Sequence, residues 1–481
     1  MTRPLFPALL AAAALAGCAA SADPGRARAP AVTAAPAWQA PLPHAGRGAD
    51  LARWWTQFDD PVLPALIVAA QQASPTLASA QTRIERARAN LAARAAQRAP
   101  RLDAEGTAQQ GRSTPGTATM ATASLGLQAS WELDLFGGLA AAARASTERL
   151  REAEAGWHDA RVSLAADVAS AYVNLRACEA QLAQSRDDAQ SREHSARLLD
   201  ESARAGFTAA ADAALARAGA AQARSQARAQ QALCDTLVKG LVELTDRDEP
   251  ALRTQLAATP GRLPSAPAIA PSALPAQLLT QRPDLAAAQA AVQAAASEVA
   301  ATRADELPRV RLSGLLAGAA VATGGATTSG AVWSLGPLSL SLPLADRASR
   351  RAATQASQAA YDEAVVQLQG AVRRALREVE TALVALDSTA ARERDVLSAA
   401  GDFEASLTAT AARQRAGLAS LLDLEAARRN AVQARSTLIE LQRERASAWV
   451  ALYRSVGGGW SAADKVELSR AGTGPAPMAR P

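Results

Sequence analysis

Four residues near the start of the chain, Leu15-Ala16-Gly17-Cys18, have the small-residue pattern ending in cysteine that marks a bacterial lipoprotein signal. They end an apolar run of the length found in secretory signal peptides. Cleavage before Cys18 would free its amine and its thiol for acylation, and acyl chains hold a protein at a membrane surface. We therefore predict a signal peptide at 1–17 and a lipidated tether at 18–53. The alternative is an ordinary signal peptide with a chance cysteine at its end.

Two further cysteines, Cys178 and Cys234, lie at equal distances along the chain from Gly206, the glycine of a predicted hairpin turn. Residues equidistant from the turn of an antiparallel helical hairpin lie side by side. Both cysteines also lie on apolar seams of their helices. The first is the heptad seam Leu164, Val168, Ala171, Leu175, Cys178 and Leu182, and the second continues from Cys234 into Leu237, Leu241 and Leu244. Because an exported protein folds in an oxidising compartment, we predict a disulfide between them. The alternative is a pair of buried apolar thiols.

The other residue types that perform chemistry show no arrangement for catalysis or metal binding. The histidines His44, His158 and His194 are scattered, and no Ser or Cys nucleophile has a base nearby in the sequence. The net charge of +5 is spread over alternating Arg and Glu or Asp, which is typical of solvated helix faces rather than nucleic-acid binding. We predict no enzyme activity, no cofactor, no metal site and no nucleic-acid partner.

A duplication sets the organisation of the chain. Three landmarks recur 208 positions later, and four recur 211 positions later. The first set pairs Pro75 with Pro283, Pro100 with Pro308, and Gly106 with Gly314; the second pairs Gly206 with Gly417, Phe207 with Leu418, Asp212 with Asp423, and Arg217 with Arg428. We predict repeats at 54–270 and 271–460, followed by a disordered tail at 461–481. Each repeat contains a helix, two strands and a long helical hairpin.

The clearest strand runs from Ser124 to Phe136, where apolar residues at odd positions alternate with Ser, Gly, Gln, Glu and Asp. A helix of about 100 Å follows at 139–205. No run of about 18 apolar residues is present outside the signal, so only strands can cross a membrane. Four strands per chain leave open edges that lipid does not tolerate. The chain must therefore oligomerise to close a barrel, while the charged helices project into water.

With these elements in order, the mature chain resembles the TolC-like outer-membrane factor family, in its lipoprotein branch that serves resistance-nodulation-division exporters. The motifs that carry the resemblance are Trp54-Trp55-Thr56-Gln57-Phe58-Asp59-Asp60-Pro61-Val62-Leu63, Ser74-Pro75-Thr76-Leu77, Arg282-Pro283-Asp284-Leu285, Trp131-Glu132-Leu133-Asp134-Leu135-Phe136-Gly137, Trp333-Ser334-Leu335-Gly336-Pro337 and Arg415-Ala416-Gly417-Leu418. The resemblance implies a mainly α fold with a transmembrane β part. It implies a homotrimer with a 12-strand β-barrel and a 12-helix periplasmic α-barrel.

The same resemblance implies a passive exit duct in the outer membrane. Drugs or other small toxic compounds would arrive from a proton-driven inner-membrane exporter through a periplasmic adaptor protein. The alternatives are a duct for metal cations or secreted proteins, or a periplasmic adaptor or coiled-coil scaffold lipoprotein. The duplication and the amphipathic strand argue against an adaptor, which has one hairpin flanked by small soluble β domains.

Several site residues follow from the resemblance. Asp423 matches the first aspartate of the family's periplasmic gate, whereas Ala426 stands at the second, and Glu425 lies on a different helical face. Asp423 could instead be a charge favoured by the helix N-terminus. The predicted adaptor-docking tips contain Gly206, Phe207, Gly417 and Leu418. An interfacial aromatic girdle is predicted at Trp131, Phe136 and Trp333, with core packing as the alternative for Phe136.

Overall fold

A computed structural model describes residues 38–40, 54–56, 58, 60–112, 118–264, 281–342 and 344–461. The predicted signal peptide, the lipidation residue Cys18 and most of the tether lie outside these residues, as do all but the first residue of the predicted tail. The described elements repeat one order of parts, a helix, two strands and a pair of long helices. Their bounds are α1 Val62–Ala73, α2 Pro75–Ala96, β1 Arg101–Gly111, β2 Met120–Leu133, α3 Gly138–Arg204, α4 Ala210–Thr245, α5 Glu249–Leu256, α6 Pro283–Ala304, β3 Arg309–Thr323, β4 Ala326–Ser341, α7 Arg347–Arg415 and α8 Leu421–Ser455.

The described residues fall into two compact units. The first contains Thr82–Ala155 and Ala286–Ala371, with the four strands in one sheet; the second contains Thr33–Gln81, Gly156–Leu285 and Val372–Pro481 and is helical. The long helices match the sequence prediction closely, since α3 has 67 residues and α7 has 69. At 1.5 Å per residue each is about 100 Å long.

The sheet is antiparallel in the order β1-β2-β3-β4, so the two repeats meet where β2 pairs with β3. Residues that face each other across antiparallel strands lie on the same side of the sheet. Thr107 of β1 therefore shares a side with Ser124 of β2, and their hydroxyls are hydrogen bonded at 2.7 Å. The predicted alternation of β2 is confirmed, with Leu125 and Leu127 exposed on the opposite side.

The predicted end of this strand at Phe136 is wrong, because β2 stops at Leu133. The carboxylate of Asp134 accepts hydrogen bonds from the amides of Leu139 and Ala140, at 3.0 and 2.7 Å. These amides belong to the first turn of α3, which has no backbone partners for them. Asp134 therefore caps a helix instead of extending the strand.

A bulge in the β3–β4 pair explains why the alternation of β4 changes at Pro337. The register shifts between Leu312 and Gly314, opposite Gly336 and Pro337. One extra residue in a strand moves every later side chain to the other face unless the pairing shifts as well. The shift keeps Trp333 and Leu335 on the same side as Leu338 and Leu340, although the apolar positions change from odd to even.

The helical unit has an aromatic core beside the apolar seam of α3. Trp54, Trp55, Phe58 and Tyr453 are all buried, and the Trp54 and Tyr453 rings stack with centroids 5.1 Å apart. The seam predicted along α3 is confirmed by burial. Its members Val168, Leu175, Cys178 and Leu182 are buried in this core, with Leu164 and Ala171 packed against it.

A buried guanidinium ties three segments of the helical unit together. Arg282 donates to both carboxylate oxygens of Asp284 at 2.9 and 2.7 Å, to Glu378 of α7 at 2.9 Å, and to the carbonyl of Ser455 at 2.8 Å. In the first repeat the equivalent residue is Ser74, whose hydroxyl accepts the Leu77 amide at 3.3 Å. The same sequence position therefore caps a helix in one repeat and crosslinks three segments in the other.

A disulfide joins Cys178 of α3 to Cys234 of α4, the pair that the sequence predicts, with an S–S distance of 2.10 Å. Both residues are buried in the core beside Leu182 and Val238. The corresponding positions of the second hairpin, 211 residues later, are Thr389 and Arg445. A covalent link is therefore specific to the first hairpin.

The disulfide predicts the thiol content of the mature protein. Denatured without reductant, the lipidated chain should show no free thiol, because Cys18 is acylated on sulfur and the other two are bridged; reduction should release two. Intact mass gives the acyl groups on Cys18 in the same sample. Reduction should lower the free energy of unfolding by up to about 4 kcal/mol, because the bridge restricts the unfolded chain. Two free thiols before reduction would rule out the bridge.

Candidate gate and docking tips

The tips of both helical hairpins have the same backbone structure. At the end of α3, the amides of Phe207 and Gly206 donate to the carbonyls of Ser202 and Ala203, at 2.9 and 3.1 Å. This pair of bonds is a Schellman motif, which needs a positive φ at its glycine, and the φ of Gly206 is 78°. The helix ends here because this bond pattern satisfies its last carbonyls.

The second tip repeats the pattern. The amides of Leu418 and Gly417 donate to the carbonyls of Arg413 and Gln414, at 2.8 and 3.0 Å, and the φ of Gly417 is 75°. Each motif leaves the residue after its glycine in solvent. Phe207 is 86% exposed and Leu418 is 70% exposed. Large apolar side chains that are this exposed are typical of interaction sites, because their own hairpin does not cover them.

Asp423, the predicted gate residue, lies in the first turn of α8 as half of a capping box. Its carboxylate accepts the Ser420 hydroxyl at 2.7 Å and the Ser420 amide at 2.9 Å, and its own amide donates to the Ser420 hydroxyl at 3.1 Å. Such a box satisfies amides that a helix start leaves open. These bonds from Ser420 hold the pKa of Asp423 below its usual range.

The alternative role of Asp423 as a charge at a helix start is therefore present in the structure. It does not conflict with a gate role, because the side chain remains exposed to solvent. The equivalent positions of the first hairpin are Ala209 and Asp212, and there α4 begins without a side-chain cap. The two tips share their backbone fold but differ in how firmly the following helix begins.

Glu425, the other predicted gate carboxylate, is held by a cation. Arg428 contacts it at 2.5 Å, and the side chains of both residues are mostly buried. Arg428 also contacts the Ser195 hydroxyl of α3 at 3.4 Å. An ion pair with little solvent access has small net charge at a distance. The structure thus separates Asp423, which is open, from Glu425, which is neutralised.

The three predicted girdle aromatics have different positions. Trp131 and Trp333 are on the apolar side of the sheet, and Trp333 is 77% exposed. Trp131 also donates its indole N–H to the carbonyl of Arg98 at 3.0 Å. Phe136 lies in the turn after β2 and is half-buried. Only the two tryptophans are placed on strands.

A cavity of about 130 Å³ in the helical unit was not predicted from the sequence. Arg282, Asp284 and Glu378 line it together with Asp159 and Arg454. Burial, followed by repulsion from Asp284, raises the pKa of Asp159. The Arg282-Pro283-Asp284-Leu285 motif was the one sequence signal near it, but partners that are distant in sequence cannot be read from that motif.

Neither a metal site nor a helical membrane span is found among the described residues. No group of three or more His, Cys, Asp or Glu residues in this part of the chain could hold a metal ion. Within the same residues, none of the helices is both long enough and apolar enough to span a membrane.

The capping box predicts a pH-dependent helix start. Because the folded-state pKa of Asp423 is depressed, the stability that the box contributes is present above the ordinary aspartate pKa and is lost as the pH falls through the depressed one. Hydrogen exchange of the first turn of α8, corrected for intrinsic rates, should therefore accelerate on acidification. Ser420→Ala should accelerate it about fivefold at neutral pH.

The first hairpin provides the matched control for this measurement. Ala209→Ser places a hydroxyl three residues before Asp212, so exchange in the first turn of α4 should slow. Equal exchange in the native protein and in Ser420→Ala at neutral pH would show that the box contributes nothing to the helix start.

Comparison with known proteins agrees with these features. A family model described as outer membrane efflux protein matches residues 66–245 and 274–458. Outer membrane protein OprJ of Pseudomonas aeruginosa is 29% identical, with 98% of this chain and 100% of OprJ covered. The toluene efflux pump outer membrane protein TtgI of Pseudomonas putida is 27% identical, with 84% and 87% covered.

The cation efflux system protein CusC of Escherichia coli O6:H1 is also 27% identical, with 93% of this chain and 97% of CusC covered. Among solved structures, the outer-membrane channel OprN superposes with a TM-score of 0.80 at 29% identity, covering 89% of this chain and 98% of OprN. The TolC-like fold expected from the sequence is confirmed by this similarity. The chain therefore belongs to the outer membrane efflux protein family and serves as an exit duct for export in the outer membrane.

Proposed function

We propose that three copies of this chain form the outer-membrane duct of a tripartite efflux system, through which drugs and other small toxic compounds leave the cell passively. An inner-membrane proton-driven exporter supplies the energy, and a periplasmic adaptor links it to the duct. The chain itself has no catalytic role in this proposal. The observation that carries it is a four-stranded sheet with one apolar side, one largely polar side and two open edges.

The open edges explain why several copies are needed. In the described sheet, β1 pairs only with β2, and β4 pairs only with β3. Unpaired amides and carbonyls cost several kcal/mol each in lipid, so an open sheet does not span a bilayer. Pairing β4 of one copy with β1 of the next removes every edge. Three copies give twelve strands, which is wide enough for an aqueous lumen.

The gate in this proposal is a ring of Asp423 carboxylates, one from each copy. A ring of like charges attracts cations and holds back anions, and it can keep a narrow pore shut until a partner displaces it. The exposure of Asp423 supports the role, because its carboxylate is open to solvent at the tip of the hairpin. Glu425 was predicted as part of the same gate. We assign it a supporting position, since Arg428 already neutralises it.

The lipid anchor and the repeat boundaries complete the proposal. The described part of the tether, residues 38–40, is fixed to α7, where the amides of Gln39 and Ala40 donate to the Glu380 carboxylate at 2.7 and 2.8 Å. A chain from Cys18 to this clamp reaches at most about 70 Å. We propose that this tether, residues 18–53, links the acylated Cys18 to repeats at 54–270 and 271–460, which the tail at 461–481 follows.

A duct for metal cations is the second candidate, and the similarity to CusC favours it. Both candidates need the same conduit, and the partner pump would decide between them. Recordings under a salt gradient of divalent or organic cations would measure whether this lumen prefers one class. A lumen with no preference would leave the choice of cargo to the pump.

The gate predicts a conductance difference in planar bilayers. Purified native protein should open rarely, and Asp423→Ala should open more often, by about tenfold if the ring carries the closure. Asp212→Ala removes the equivalent carboxylate of the first hairpin and should change nothing, and Ser420→Ala, which breaks the capping box but keeps the Asp423 carboxylate, should also open as rarely as the native protein. Equal opening of native protein and Asp423→Ala would place the gate elsewhere, and a folded protein without any conductance would contradict the duct.

The docking tips predict a defect that appears only in cells. Phe207→Ser with Leu418→Ser should raise the retention of a fluorescent pump substrate several-fold, because an adaptor loses two exposed apolar contacts. Conductance of the same purified variant should stay at the native level. Leu215→Ser, an exposed apolar residue away from the tip motif, is the control. Unchanged dye retention in the double variant would argue against docking through these residues.

A further inference from the structure

The two halves of the sheet differ in chemistry on the side opposite the lipid-facing tryptophans. Strand register places the alternate residues of each strand on this side. In β1 and β2 they are mainly polar: Asp103, Glu105, Thr107, Gln109, Ser124, Gln128 and Ser130. In the middle of β3 the same side is apolar, and Val332 of β4 extends it. We call these residues the apolar stripe: Leu315, Ala317, Ala319, Val321 and Val332.

The stripe is open to solvent and is not a core hidden beneath other side chains. Leu315 is 40% exposed, Val321 is 38% exposed and Val332 is 43% exposed. Ala317 is buried and lies close to Gly126 of β2, where an added Cβ would be 2.3 Å from the Ala317 Cβ. The middle of β3 is therefore apolar on both sides, although only one side is needed to face lipid; in β4 the stripe side is polar apart from Val332 and its glycines and alanine.

The polar neighbours of the stripe decide which side faces water. Arg311 and Glu132 form an ion pair at 3.3 Å on the same side as the stripe, next to the polar wall of β1 and β2. Placing these groups in lipid would cost several kcal/mol each. The side that bears the stripe must therefore be the wall of the aqueous lumen. A twelve-stranded barrel is wider than an eight-stranded one, whose interior side chains just fill the space, so the stripe meets water or solute.

We propose that the apolar stripe is a contact track for solutes with an apolar body, so that the lumen favours amphipathic and hydrophobic small molecules over equally sized hydrophilic ones. This inference rests on the proposed function and names the substrate class of the same duct. The small side chains of the apolar stripe form a shallow wall rather than a pocket. Weak contact suits conduction, because a solute must leave as readily as it enters.

The test uses tetraalkylammonium ions as blockers of single-channel current through the purified full-length lipoprotein. The charge is constant along the series while the apolar body grows from ethyl to butyl arms. A fully buried methylene contributes a factor of about four, so one-sided contact should lengthen the dwell time by about threefold to tenfold from ethyl to butyl. In the triple variant Leu315→Thr, Val321→Thr and Val332→Thr, most of this dependence should disappear.

Two further variants separate contact with the stripe from a simple effect of blocker size. Gln128→Leu widens the stripe, because Gln128 faces Leu315 across the β2–β3 pair, so its dwell times should lengthen. Val310→Thr makes the same kind of change on the opposite side of β3, so it should behave as the native protein does.

The outcomes distinguish this inference from the duct itself. Dwell times that do not depend on arm length in the native protein would overturn the stripe while the duct stands. The same arm-length dependence in the native protein, the triple variant and Gln128→Leu would also overturn it, because size alone would then account for the block. A folded native protein without conductance would overturn the duct, and the stripe with it.

Discussion

Backbone groups at the outer edges of β1 and β4 have no partner within the described sheet. In water such edges can bond to solvent, but lipid offers nothing to replace those bonds. The sheet is therefore incomplete as one chain, whatever its side chains contribute. Closure by further copies satisfies the edges and at the same time creates a lumen. The alternation of apolar and polar residues in β2 suits such a closed barrel, because one side must face lipid and the other must face water.

The duplicated repeats keep one backbone design and vary the interactions that fix it. The first hairpin has the Cys178–Cys234 disulfide, and its α4 begins without a side-chain cap. In the second hairpin Arg445 contacts Glu393 at 2.5 Å, and Arg435 contacts Glu404 at 2.7 Å. A covalent bond holds two helices at all salt concentrations, whereas exposed ion pairs weaken as ionic strength rises. The first hairpin has exposed ion pairs too, such as Arg217 with Asp200 at 2.5 Å, so the disulfide is the interaction that distinguishes it from the hairpin that bears Asp423.

A buried polar network joins α3 to segments that are distant from it in the sequence. Arg176 is fully buried, donates to Glu179 at 2.7 Å and to the carbonyl of Leu256 at 3.0 Å, and lies over the Tyr172 ring. The Tyr172 hydroxyl donates to Asp60 at 2.5 Å. Burial, followed by this bond, raises the pKa of Tyr172, so the hydroxyl stays protonated as a donor. A buried cation remains compatible with folding only when such partners surround it.

Local periodicity and spacing determined much of this protein from the sequence alone. Spacings of 208 and 211 residues revealed the duplication, the heptad seam identified the buried face of α3, and equal distance from Gly206 identified the cysteine pair. Each of these signals is a repeat or a spacing along the chain, and none requires knowing which distant segments pack together. The predicted end of β2 was wrong, because Asp134 caps α3 instead of extending the strand. The alternation of apolar and polar residues does not show which of these two roles Asp134 takes.

Tertiary structure alone decided which charges are open and which residues of neighbouring strands share a side of the sheet. In the sequence Glu425 and Asp423 are both carboxylic residues of the same segment. In the structure Arg428 neutralises Glu425, whereas Ser420 orients Asp423. The Arg282 crosslink and the apolar stripe were likewise invisible, because both depend on register and on partners that are distant in the sequence. A bulge opposite Pro337 shifts that register by one residue, and a shift of one residue exchanges the two faces of a strand.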